Sequence, residues 1–159
     1  MKGRDEIVAD LIVSVFQLNG QLIDAGNRLV EDIGLTSAWW QVLGALALSP
    51  VPLPVAHIAR NMGLSRQSVQ RVADLLAKKG LVRFETNPHH QRAKLVVLTA
   101  KGSTAVNAAE QRQRPWARDT TAGLTLERIT TALDVLTHMN KHLAPPVGAA
   151  DEDFTEVEK

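Results

Sequence analysis

The residues with the most evident chemistry lie in one short run: Ser65, Arg66, Gln67, Ser68, Gln70 and Arg71. They combine hydroxyls, carboxamides and guanidinium groups, which hydrogen-bond base edges and phosphate oxygens in a DNA major groove. A second group, His89, His90, Arg92 and Lys94, follows in the sequence NPHHQRAK. A basic loop of this kind reaches a phosphate backbone or a minor groove. No nucleophile elbow, phosphate loop or dinucleotide fingerprint is present, so no enzyme activity, catalytic residue or cofactor is expected. His138 and His142 lie four apart on a helical segment, a spacing that can hold Zn²⁺ from one face. No Glu follows His138 and the chain has no cysteine, so no metal site is expected there.

The elements that would position these groups can be read outward from them. Ser65 is a good N-cap, and Val69, Val72, Ala73 and Leu76 follow on one helical face. The spacing predicts a helix over Arg66 to Lys79, with its polar residues at the N-terminal end. That end of a recognition helix meets the bases. Upstream, Pro54 suits the first turn of a helix carrying Val55, Ile58, Ala59 and Met62, and Gly63 suits the position just past its end. Downstream, Gly80 stops the second helix. Leu81 to Thr86 and Lys94 to Thr99 then read as two strands around the basic loop. Leu53 to Gly102 is thus expected to be helix, turn, helix and hairpin wing. It holds nine Lys or Arg against two acids, Asp74 and Glu85, while the rest of the chain holds nine basic and fifteen acidic residues. A segment of net +7 inside a chain of net +1 favours a polyanionic partner.

Residues 35 to 102 resemble the MarR family of winged helix-turn-helix transcription regulators. The resemblance is carried by LTSAWWQVLGAL, by VAHIARNMGLSRQSVQRVADLLAKKGLV and by RAKLVVLTAKG. Arg92, Leu98, Thr99 and Gly102 stand where the family has its wing Arg, Leu-Thr and Gly. His90 occupies the place of the family's wing Asp, which is held to brace that arginine. The resemblance implies a mainly α fold with a small β-hairpin wing and terminal helices that interlock two copies. It also implies control by a small ligand bound between the winged lobe and the dimer helices.

The flanks fit that expectation from their own pattern. Leu11, Val15, Leu18, Leu22, Ala25 and Leu29 step by four and three through a long helix over Asp5 to about Glu31. Leu126, Ile129, Leu133, Leu136, Asn140 and Leu143 make a second such seam, after a Thr125 cap. Between them, Thr36 caps a helix over Ser37 to Leu48. Thr99 opens another that runs to about Thr121, with a break risk at Pro115. Arg112, Arg114 and Arg118 lie along it; they could pair with acids of another helix or face an anionic ligand, and solvated surface is the simpler reading. The resulting division is 1–33 and 103–143 for dimerisation, 34–102 for DNA reading, and 144–159 as a flexible acidic tail. A sharper reading of the tail has it competing with DNA for the wing. Trp39, Trp40 and Trp116 are the candidate walls of a ligand pocket. Adjacent on a helix, Trp39 and Trp40 point about 100° apart, and ordinary packing is the simpler account of both.

No run approaches the roughly 18 unbroken apolar residues of a membrane span, and the N-terminus lacks a signal-peptide pattern. A cytoplasmic chain is expected. The reading that accounts for most residues is a homodimeric repressor that binds a pseudo-palindromic duplex and is released by a small aromatic or phenolic ligand. Two alternatives stand beside it: a DNA-binding regulator without a ligand, and a winged-helix module that binds protein.

Overall fold

The computed structural model describes residues 2–144, so the acidic tail, apart from Ala144, lies outside the described residues. Helix α1 spans Arg4–Val30 and runs into a single 3-10 turn, Glu31–Ile33. Helix α2, Ser37–Leu48, starts where the Thr36 hydroxyl accepts the Trp39 N–H at 3.2 Å. Helices α3, Val55–Met62, and α4, Arg66–Lys78, form the helix-turn-helix. Between them Gly63 sits at φ +63°, a left-handed conformation glycine adopts without a Cβ penalty. Strands β2, Val82–Glu85, and β3, Leu95–Leu98, flank the wing loop. Helix α5 spans Ala100–Thr120 and α6 spans Leu126–Leu143.

Two local expectations are corrected. The sheet has three antiparallel strands, because Leu53–Pro54 forms a short strand β1 paired with β3, Leu53 opposite Val96. Pro54 therefore lies before α3 rather than in its first turn. Its missing N–H is tolerated because β1 is an edge strand. The second correction is at Pro115, which sits inside a continuous α5. Its missing N–H leaves the Gln111 carbonyl without its intrahelical partner, and Gln111 is exposed.

The core lies in the winged lobe. Val42 and Leu43 from α2, Ile58 from α3, Val69, Ala73 and Leu76 from α4, and Val96 from β3 are all fully buried. Val30, at the end of α1, and Val106 and Ala109 of α5 join the same cluster. The wing is tied down at the β3–α5 junction. There the Thr99 hydroxyl accepts the Gly102 N–H at 3.0 Å and donates to the Gly80 carbonyl at 2.7 Å. A Cβ on Gly102 would lie 2.1 Å from the Leu81 carbonyl oxygen, so only glycine permits this approach.

The terminal helices are built differently. α1 packs on α2 and α5 near its C-terminal end, where Gly26 and Val30 are its only buried residues. α6 buries none of its residues. Ile7, Ile12, Phe16, Leu22, Leu126 and Leu133 are exposed. The segment Arg4–Ile33 is long and apolar enough, by length and composition, to cross a membrane. That average differs from an unbroken apolar run, since Asp10, Gln17, Asn19, Gln21 and Asp24 interrupt it.

Candidate nucleic-acid interface

The polar half of α4 is set in place by its own cap. The Ser65 hydroxyl accepts the Ser68 N–H at 3.1 Å and donates to the Ser68 hydroxyl at 2.9 Å. The apolar face carrying Val69, Ala73 and Leu76 is buried, so Gln67, Ser68, Gln70 and Arg71 are turned outward. The helix N-terminus adds a partial positive charge at the same end.

A cleft of about 890 Å³ opens between this face and the wing. Arg66, Gln67, Gln70 and Arg71 line one side, Arg92, Ala93 and Lys94 the other, with Phe84 and Pro54 to Ala56 between. Six of the ten residues expected to contact DNA are thus brought together. Ser65 and Ser68 stand at the helix start, their hydroxyls engaged with each other. His89 and His90 are exposed on the wing turn, outside the cleft. Arg71, Arg92 and Lys94 make no hydrogen bond or ion pair among the described residues, which leaves three cations for an external anion.

Two residues that the sequence did not single out shape the site. Asn87 is a buried polar residue in the wing. Its carboxamide oxygen accepts the His89 N–H at 3.0 Å, and its carbonyl accepts the His90 N–H at 3.2 Å. The turn is thereby held from inside, although Arg92 lacks a bracing carboxylate. The Asn87-Pro88 dipeptide is the local signal that marked this turn. The other is Asp74, an acid within the basic cleft. Its Oδ1 accepts the Gln70 Nε2–H at 2.9 Å.

The other candidate groups are scattered. Trp39 and Trp40 both pack against the core half-buried, and Trp116 is half-buried on α5. Trp40 alone of the three lines a cavity of about 440 Å³ between α2, α3 and α5. Its walls include Gly44, Leu48, Met62 and Val106, with Glu110, Gln113 and Arg114 at the α5 side. Arg112 is not bare surface: its guanidinium grips Asp32 across 80 residues, Nη2 to Oδ2 at 2.6 Å and Nε to Oδ1 at 3.0 Å. That hydrogen bonding holds the Asp32 carboxyl below the ordinary carboxylate value, against a smaller opposing effect of desolvation. The rings of His138 and His142 lie 4.3 Å apart, and His142 Nδ1 is 2.9 Å from the His138 carbonyl oxygen. Among the described residues, no three His, Cys, Asp or Glu converge as a metal site would require.

Against this geometry, the sequence model of the MarR family matches residues 33–93. An uncharacterized protein of Mycobacterium tuberculosis is 39% identical over 108 residues, covering 68% of this chain and 73% of that protein. The transcriptional activatory protein BadR of Rhodopseudomonas palustris is 31% identical over 99 residues, covering 61% of this chain and 57% of BadR. The crystal structure of CouR from Rhodococcus jostii, bound to p-coumaroyl-CoA, superposes with a TM-score of 0.75. That match is at 21% identity and covers 87% of this chain and 95% of CouR. Crystal structures of MarR family regulators share the fold as well. Reading head, wing and flanking helices are arranged as in those proteins, and the chain belongs to the MarR family of transcription regulators.

Proposed function

We propose that this chain is a homodimeric, sequence-specific regulator that acts in the cytoplasm on a pseudo-palindromic duplex. Arg66, Gln67, Gln70 and Arg71 enter the major groove, and Arg92 and Lys94 hold phosphates beside it. Ser65, Ser68, His89 and His90 complete the DNA-facing surface. The observation that carries this reading is the cleft in which α4 and the wing present cations to one space, within a lobe of net +7. Capture of genomic fragments followed by titration with Arg71→Ala tests it. Affinity for the captured site should fall at least tenfold, as loss of a charge-assisted groove contact implies. Unchanged affinity in Arg66→Ala and Arg71→Ala together would favour a protein-binding module instead.

The dimer rests on the terminal helices. A largely apolar groove between α1 and α6 is lined by Leu11, Val15, Leu18, Val135 and Leu136, with Glu127 and Arg128 among its polar members. Exposed apolar surface on this scale marks an interface, and a second copy supplies a matching pair of helices. In this division of labour, 1–33 and 103–143 pair the chains and 34–102 read DNA. The pairing sets two α4 helices about one helical turn of DNA apart.

Ligand control fits the 440 Å³ cavity beside Trp40. Its apolar walls suit an aromatic ring, and a ligand carboxylate would compete with Glu110, whose Oε2 lies 3.9 Å from Arg114 Nη2, for that guanidinium. Bound ligand would have to favour a lobe spacing unlike the one DNA selects. CouR carries p-coumaroyl-CoA, an aromatic acyl ligand, on the same fold. Release of DNA by small aromatic acids, lost in Arg114→Ala, is the expected result. Repression through occupancy of the promoter is the primary reading. Activation is the second, favoured by the activator BadR at 31% identity, and a reporter with and without the gene separates them.

A further inference from the structure

Asp74 is an anomaly in the cleft. The other charged groups there are cations, Arg66, Arg71, Arg92 and Lys94, and the proposed partner is a polyanion. A carboxylate on that wall repels phosphate and lowers affinity for every duplex. Its geometry shows what it offers in return. It lies one turn after Gln70, and its Oδ1 accepts the Gln70 Nε2–H at 2.9 Å.

A carboxylate only accepts hydrogen bonds. If the Gln70 carboxamide turned over, its oxygen would face the carboxylate oxygen, and the two would repel. Asp74 therefore fixes which end of the amide is nitrogen. One N–H of Gln70 is held by Asp74. Oε1 and the second N–H remain, side by side, an acceptor next to a donor. That pair complements the N6–H donor and N7 acceptor of adenine in the major groove.

We propose that Asp74 is a specificity-determining residue: it positions the Gln70 carboxamide to read adenine at one base pair of each half-site. The inference rests on the reading of α4 as the base-reading helix. It divides the work between two residues. Gln70 touches the base, and Asp74 acts through Gln70 while weakening binding to all DNA by its charge. The two effects of Asp74 have opposite signs and can be separated.

The experiment uses the full-length protein, a genomic fragment that it retains, and that site's single-base-pair variants, with fluorescence anisotropy at fixed salt. The wild type should prefer A·T by about tenfold at one base pair per half-site, and Gln70→Ala should abolish that preference and so locate the pair. Asp74→Ala should bind unrelated duplex more tightly, while its preference at that same pair falls to about twofold or less. Asp74→Asn can donate as well as accept, so it no longer excludes the turned-over carboxamide and should lose most of the preference, as Asp74→Ala does; a preference kept in full by Asn would overturn the inference. In a Gln70→Ala background, Asp74→Ala should raise affinity for all sequences alike.

A retained fragment whose base preference is unchanged by Asp74→Ala overturns the inference alone, because Asp74 would then act only as a charge. So does a preference located by Gln70→Ala at a G·C pair, or an effect of Asp74→Ala on preference that persists without Gln70. Wild-type protein that retains no DNA overturns the reading of α4 and the inference with it.

Discussion

Helix α4 turns Val69, Ala73 and Leu76 fully inward and keeps its cations outside, whereas α6 hides none of its residues. Both helices carry apolar residues at steps of three and four. The pattern is the same; the partners differ. α4 has α2, α3 and the sheet against it within the chain. α6 has Leu126 and Leu133 in the open, 79% and 61% exposed. An amphipathic pattern states that a face must be covered, and only the tertiary structure states by what. The lobe is closed on itself, and the terminal helices ask for a second surface.

The same chemical change should therefore have unlike consequences in the two regions. Leu76→Ala removes a fully buried side chain and should destabilise by about 2–5 kcal/mol, seen in urea unfolding. Leu133→Ala should leave the unfolding of dilute, dissociated chains close to wild type and instead raise the dissociation constant of the pair. Equal losses in both variants under dissociating dilution would break the comparison, because Leu133 would then belong to a core within the chain. Gly102→Ala sharpens the lobe side. Its Cβ would press on the Leu81 carbonyl from 2.1 Å and on Leu98 Cδ1 from 2.8 Å, so a loss of about 1–3 kcal/mol or more is expected.

A smaller effect tests what the closed lobe presents. Arg92 has no partner among the described residues, so its removal disturbs no contact in the chain. Arg92→Ala should leave thermal stability within the error of measurement, weaken DNA binding across sequences, and reduce the salt slope by about one unit. An unaltered slope would take the wing out of the contact surface.

How much of this was legible beforehand depended on the range of the interaction. The caps at Thr36, Ser65, Thr99 and Thr125 were readable because each hydroxyl meets an N–H three residues on. The gathering of Arg66, Gln67, Gln70 and Arg71 followed from helical spacing, and a hairpin was enough to bring Arg92 and Lys94 near. Asp74 carried a readable signal, an acid four residues after Gln70 in an otherwise basic stretch. Strand β1 was not legible, since two residues show no alternation. Nor was the cavity beside Trp40. Its walls come from three helices, and Trp39 and Trp116, alike in type, stand elsewhere.

The contact that joins the two flanking segments was legible in type only and not in its partners, because Asp32 and Arg112 lie 80 residues apart. Asp32 follows α1, and Arg112 sits midway along α5, so the pair ties the end of one terminal helix to the helix leading out of the lobe. Its hydrogen bonds to Arg112 hold the Asp32 carboxyl below its ordinary value. A carboxyl depressed in the folded state contributes stability above its unfolded value and loses it as pH falls through the folded value. Asp32→Asn should therefore lower the melting temperature slightly at neutral pH. The difference from wild type should shrink below about pH 4, where an ordinary carboxyl begins to protonate. The pair is exposed, so added salt should shrink the difference too. A difference that stays constant from neutral pH down to about pH 2, below the ordinary carboxylate value, would mean that Asp32 acts through the shape of the 3-10 turn rather than its charge. The link between the end of α1 and α5 would then rest on packing alone.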